Sequence, residues 1–407
     1  MIKNNNSYLV RLGVLVSPLV LVLALVTRLV LAGTTFHVDL NAFTLASHYV
    51  NRGGVLSFYD AIRLLPEGDP IKTLYSDKIF NYQPLSYLIP SLFYLPLPPR
   101  IDLRGLITIS RQFEPLLIAY KLPFIFFDLL AALFITRLAK DQLAKKKLQL
   151  LWLFNPAAIF VSSVMGQSDM MVVFFILLSL IAAKKENYVA AALFAGLSAL
   201  FKPAGLFLLP VVIAAALNIS LGKAAKSTIA GFGVYLLGIL AYLPSISFRT
   251  YALLAEQTGK STFAGIAIAS GTVIPWFFIA YATILILLLR KRLTLFDALA
   301  LALASSLVFS HFHPQWYVWL TPWLIYKSIS ARHHLFWAAT MSWFLILLSF
   351  DFSLHLSSFW WLGLVPNQYL FTGNLLFSNL VLLARAFLVS VFFLSADLVK
   401  EKEAPRE

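Results

Sequence analysis

"PLLIAYKLPFIFFDLLAALFITRLAKDQLAKKK" (residues 115–147) decides the fold class. Residues 115–137 are apolar over about the 20 residues that a helix needs to cross a bilayer. A run of lysines, "KDQLAKKK" at 140–147, follows at once. Apolar runs closed by basic turns recur along the 407 residues, which are 60% hydrophobic and 12% charged. A soluble domain carries roughly 25% charged residues. The chain therefore reads as an all-α, polytopic transmembrane helical bundle rather than a soluble domain.

The net charge of +14 sits in short loops between the apolar runs. It orients helices by the positive-inside rule and gives no support to nucleic acid as a partner. The chain contains no cysteine, which excludes disulfides, thiolate catalysis and cysteine metal sites. The first apolar run, from 12 to 32, lacks a small-residue cleavage site and is expected to be retained as a helix.

Basic loops at 140–147, 184–187, 222–226, 290–292 and 331–334 fall on one side when helices alternate between them, together with both termini. That side is assigned to the cytoplasm, giving about twelve spans, range 10–13, in a multi-pass protein of the cell membrane. A single domain over 1–407 is expected, with outer loops at about 34–114, 244–272 and 351–374. "NYQPLSYLIPSLFYLPLPP" (81–99) is apolar, but counting it as a crossing would invert every later loop. It is read as an embedded or re-entrant part of the first outer loop.

On this topology the outer face collects polar residues that a bilayer rejects. They are Asp39 in "FHVDLNAF", Gln167 and Asp169 in "MGQSD", Lys202 in "LFKPAG", and His311, His313 and Gln315 in "HFHPQW". Arg28 lies near the outer end of the first span, and Arg385 lies inside the last. Each has a plain structural alternative: Arg28 as a snorkelling residue, Asp169 as a helix cap, Lys202 as an interfacial lysine, the histidines as loop residues. Their convergence on one face is what marks a site. A carboxylate among several cations suits an anionic lipid phosphate and a hydroxyl group. No D-x-D, phosphate-binding glycine loop or H-E-x-x-H occurs, so no nucleotide or metal site is indicated and no cofactor is expected.

The outer-loop Asp39 followed by "FTLASHYVNRGG" (43–54) and "YQPL" (82–85) resembles the GT-C integral-membrane glycosyltransferases. The polyprenol-phosphate-mannose-dependent and GPI-mannosyltransferase branches are the most similar. "NPAAIFVSSVMGQSD" (155–169), "LFKPAG" (200–205) and "HFHPQWYVWLTPW" (311–323) are similar to further motifs of that group, with Met165 where many relatives carry Trp. The resemblance implies an inverting glycosyltransferase that moves a hexose, mannose first, from a polyprenyl-phosphate donor to a glycan, lipid or protein acceptor. It implies Asp39 as general base and Lys202, His313 and Arg28 as donor-phosphate ligands. Gln167, Asp169, Gln315, Tyr82, His311 and Trp316 would contact sugar or acceptor, beside membrane lipids and without a metal. A lipid-linked sugar flippase and a polysaccharide polymerase or ligase are the alternatives.

Overall fold

The computed structural model describes residues 15–75, 78–97, 101–103, 105–107, 113–253, 264–269, 271–310, 313–329, 333–349, 358–359 and 375–395. Helix dominates them, as the all-α expectation requires. Helix α1 (Pro18–Thr34) starts on a Ser17 cap whose hydroxyl accepts from Val20 N–H. A two-residue strand, β1 (Thr35–Phe36), then pairs with β4 (Ser358–Phe359).

The described part of the first loop contains short helices. It holds α2 (Leu40–Tyr49) and α3 (Leu85–Tyr94), both ten residues long and too short to cross. The described residues 81–97 therefore hold no helix long enough to cross. The start of α3 docks on the 200–202 turn: Leu85 N–H donates to Leu200 O at 3.0 Å and the Ser86 hydroxyl to Phe201 O at 2.7 Å. Tyr59, Phe80, Tyr87, Tyr242 and Phe248 pack edge to face around this loop.

Helix α4 (Pro115–Phe134) runs into a short 3-10 turn, so that Pro115–Leu138 is 24 residues long and apolar enough to cross a membrane. After α5 (Gln142–Leu153) the chain bends by 44° into 156–165, and the bent pair is a second candidate for crossing. Only these one or two candidates are both long and apolar enough to cross among the described residues, so helix lengths do not establish twelve crossings. Exposed apolar side chains such as Leu19, Val22, Ile229, Leu237, Leu382 and Leu383 coat the outside of the bundle.

The centre is built from antiparallel hairpins. Helix α6 (Asp169–Lys184) turns into α7 (Tyr188–Ala199), and the pair is stitched by Ser179 to Ala191 O at 2.9 Å and Ser198 to Val172 O at 3.2 Å. Next come α8 (Leu209–Leu217) and α9 (Leu221–Leu240). Helices α7 and α9 cross at Gly196 and Gly231, where a Cβ on Gly196 would lie 2.2 Å from Gly231 O. Small residues permit that approach, as in membrane helix pairs generally. A two-stranded hairpin of β2 (Gly265–Ala269) and β3 (Thr272–Pro275) leads into α10 (Trp276–Leu289). The second hairpin is α11 (Leu295–Phe309) and α12 (Tyr317–Ser328), followed by α13 (His333–Leu347) and α14 (Leu375–Ser395). The turn into α6, the Lys202 turn and the 313–316 turn thus share one end of the bundle; the 184–188 and 289–295 turns share the other.

Candidate functional site

Asp39 occupies the N-cap of α2, yet its side chain makes no capping bond. A capping carboxylate ordinarily accepts from the first helical turn. Here it faces the bundle instead, and Oδ2 accepts from Gln167 Nε2 at 2.7 Å and from the Tyr82 hydroxyl at a long 3.5 Å. The carboxylate is 33% exposed, while His37 beside it is fully enclosed with Nδ1 at 3.9 Å from Oδ2. His37 Nδ1 accepts from Asp39 N–H at 3.2 Å and lies 3.3 Å from Gln167 Nε2, so its ring proton belongs on Nε2.

Gln167 reaches Asp39 because of the turn before it. Residues 160–165 form a π-helical turn that ends on Gly166 in the left-handed region, φ 73°. A Cβ there would lie 2.8 Å from Lys121 Cγ and 3.0 Å from Leu40 Cδ2, so only glycine lets the chain pass. Lys121 is itself buried, and its ammonium donates to Ala32 O, Thr35 O, Thr35 Oγ1 and Val164 O at 2.6–3.2 Å. It locks the end of α1 to the turn that presents Gln167.

The second half of the site is an enclosed ion pair. Lys202 Nζ donates to Asp169 Oδ2 at 2.6 Å, and Trp319 Nε1 donates to Asp169 Oδ1 at 2.9 Å. Asp169 is in the first turn of α6, where a negative charge also meets the helix dipole. Tyr82 joins the halves: its ring centroid lies 4.2 Å from Lys202 Nζ, and its hydroxyl points to Asp39. Trp316 stacks on Trp319 at 5.2 Å, and the His313 ring sits 4.6 Å from Trp316. Gln167 and Gln315 each keep a buried Oε1 with no hydrogen-bond partner among the described residues.

The structure thus gathers Asp39, Tyr82, Gln167, Asp169, Lys202, His313 and Trp316 through a chain of contacts. Gln315 occupies the 3-10 turn beside Trp316. His311 lies outside the described residues, as do 351–357 and 360–374 of the third outer loop. Arg28 is placed elsewhere. Its guanidinium holds Asp128 at 2.7 and 3.2 Å and donates to Ala24 O and Leu153 O, all fully enclosed. Asp128 further accepts from Trp152 Nε1 at 2.9 Å and the Ser162 hydroxyl at 2.7 Å. Arg28 therefore clamps α1 to α4 and is neither a snorkelling residue nor placed to hold a donor phosphate.

His37, Lys121 and Asp128 were not foreseen as part of this framework. The signal for the last two was present in the sequence: ionisable residues inside an apolar span need partners.

The family model described as "GPI transamidase subunit PIG-U" matches residues 54–257, half of the chain. It covers Tyr82, Gln167, Asp169 and Lys202, but neither Asp39 nor the 313–316 turn. No curated protein matches the chain at a significant level. The match overturns the expected activity, because the family is that of a transamidase subunit and not of a mannosyltransferase. Sugar transfer and the polyprenyl-phosphate donor fall with it. The membrane assignment stands, in agreement with the apolar exterior. On the strength of that match the chain belongs to the PIG-U family of GPI transamidase subunits.

Proposed function

We propose that the chain is a binding subunit of a GPI-transamidase-type membrane complex and that its site holds the polar headgroup of a glycosylated phosphatidylinositol. The observation that carries this reading is the pair of orphaned, buried carbonyls, Gln167 Oε1 and Gln315 Oε1, on turns at the same end of the bundle as the partly exposed Asp39 carboxylate. Buried acceptors without donors call for a partner, which a bound hydroxyl would supply here; Gln83 Oε1 is a third such carbonyl. Asp39 offers a second acceptor, while Trp316 and Tyr82 offer aromatic surface to a sugar. Lys202 is committed to Asp169 and positions Tyr82.

The chemistry of amide exchange lies outside these residues. Transamidation passes through acyl transfer to a nucleophile activated by a neighbouring base. The 407 residues contain no cysteine, so a thiolate nucleophile cannot come from this chain. The nucleophile then comes from another subunit, and this chain supplies the lipid to be joined.

The same reading takes 1–407 as one unit with about twelve crossings in the cell membrane and the site on the extracytoplasmic face. Grouping of Lys184, Lys291 and Lys327 at the end opposite Asp39 supports that orientation. Because the chain lacks cysteine, single substitutions test it directly. Lys185→Cys should label only from the cytoplasmic side and Glu67→Cys only from the other; the reverse pattern rejects the orientation.

The functional test is recovery of tagged chain from native membranes. The wild type should bring down partner subunits able to exchange a reporter amide for a GPI-type amine. Asp39→Asn should bring down the same partners with the exchange lost. Recovery of the chain without partners, or full exchange by Asp39→Asn, would reject the reading.

A further inference from the structure

A cavity of about 540 Å³ opens at the end of the bundle remote from Asp39, among the ends of α6, α8, α10, α11 and α12. Lys184, Lys291, Lys327, Tyr188, Tyr326 and Phe296 are among its lining residues. Two carboxylates share the lining, Asp297 and Glu186. Asp297 is neutralised internally: Lys327 Nζ lies 2.8 Å from Oδ1, Trp323 Nε1 donates to the same oxygen at 2.9 Å, and the Thr294 hydroxyl donates to Oδ2 at 2.9 Å. That leaves Lys184 and Lys291, neither with a carboxylate partner among the described residues, against the single exposed acid Glu186. Lys184 is held in place, because its ammonium donates to the Tyr326 hydroxyl and stands 3.7 Å from the Tyr326 ring centroid.

The backbone gives an independent reason to look here. Among the described residues only Glu186 (φ 55°) and Lys291 (φ 56°) are non-glycine residues in the left-handed region, and both line this cavity. Each follows a helix end, at a position that glycine ordinarily takes because it has no Cβ. The chain uses glycine at left-handed turns elsewhere, as at Gly53 and Gly166. Strain accepted at both helix ends of one cavity indicates that side chains are needed there. A solvated basic face would explain lysines, but not charged residues at both strained positions around a cavity.

We infer that this cavity binds a phosphate ester between Lys184 and Lys291, with the Tyr188 and Tyr326 hydroxyls as further hydrogen-bonding groups. The phosphate of an anionic membrane lipid and that of a soluble glycerol ester share this chemistry, and experiment separates them. The inference does not rest on the proposed function, since it concerns the opposite end of the bundle.

The test uses full-length chain in phosphatidylcholine nanodiscs, with lipid retention followed by native mass spectrometry. The probes are phosphatidic acid, diacylglycerol as the phosphate-free control, and glycerol 3-phosphate in solution. Phosphatidic acid should be retained over diacylglycerol, and Lys184→Ala/Lys291→Ala should lower retention by about tenfold or more. Lys184→Arg/Lys291→Arg should preserve it, which separates lost charge from lost folding. Binding of glycerol 3-phosphate alone, abolished by the double alanine variant, supports the site with a soluble ligand. Equal retention of phosphatidic acid by wild type and the double alanine variant, or binding of no phosphate probe, overturns the inference.

Discussion

Lys202 Nζ stands 2.6 Å from Asp169 Oδ2, with both side chains almost completely enclosed. The pair closes the open end of the α6–α7 hairpin and carries Tyr82 on the lysine's outer side. Removing the lysine alone strands a buried carboxylate, a change that typically costs about 3–5 kcal/mol. Lys202→Met should therefore lower the unfolding temperature in detergent sharply. The double variant Asp169→Asn/Lys202→Met should lose much less than the sum of the single variants, because both charges are gone. Strictly additive losses would show that the pair is not formed.

Gly166 governs the aim of Gln167. Gly166→Ala must place a side chain at φ 73° and within 2.8 Å of Lys121 Cγ. The left-handed conformation alone costs about 1–2 kcal/mol, and the clash displaces the turn. Headgroup binding should fall more than stability, as read by ligand titration beside thermal unfolding. Wild-type affinity in this variant would detach Gln167 from the site.

Arg28 and Asp128 should behave as framework. Asp128→Ala leaves a buried guanidinium with only carbonyl partners and is expected to destabilise by about 3–5 kcal/mol. Asp39→Asn should barely move stability, because the carboxylate is 33% exposed and the amide can still accept from Gln167. Thermal unfolding of the two variants side by side distinguishes framework from site; equal losses would contradict the division.

The segment between α2 and α3 carries a pH-sensitive latch. Asp60 Oδ1 accepts from Ser247 N–H at 3.1 Å and from Arg63 Nε at 3.2 Å. Burial pushes its carboxyl up, but the hydrogen bonds from Ser247, Ser245 and Arg63 outweigh this and leave it below the ordinary aspartate value of 3.8. A depressed folded value means that the latch stabilises the fold above about pH 4 and weakens as pH falls through that lower value. Hydrogen exchange at 245–248 should rise in that acid window, and Asp60→Asn should raise it already at neutral pH. Exchange unaffected by either change would remove the latch.

Much of the arrangement was legible in the sequence. Periodic basic turns between apolar runs point to the helical class, and Gln167, Asp169, Lys202 and His313 do lie at one end of the bundle. Convergence did not fix chemistry, however: the same short motifs that resemble a glycosyltransferase occur in a chain matched by a transamidase-subunit family. Pairings across the bundle were illegible for a physical reason. Arg28 and Asp128 are 100 residues apart, and nothing local in either helix identifies the other. The Lys121 cradle is built from backbone carbonyls, which carry no sequence signal at all.

The central claim is that the Asp39–Gln167 edge of the site receives a glycosylated lipid headgroup. Its most direct test is equilibrium binding of a glycosylated phosphatidylinositol to the purified full-length chain in nanodiscs, against phosphatidylinositol without glycan. The account predicts that the wild type prefers the glycosylated lipid. Asp39→Asn should weaken that binding by about tenfold to a hundredfold, the loss of a charge-assisted hydrogen bond, with unfolding temperature preserved. Equal affinity of wild type and Asp39→Asn, or equal affinity for the two lipids, would contradict it.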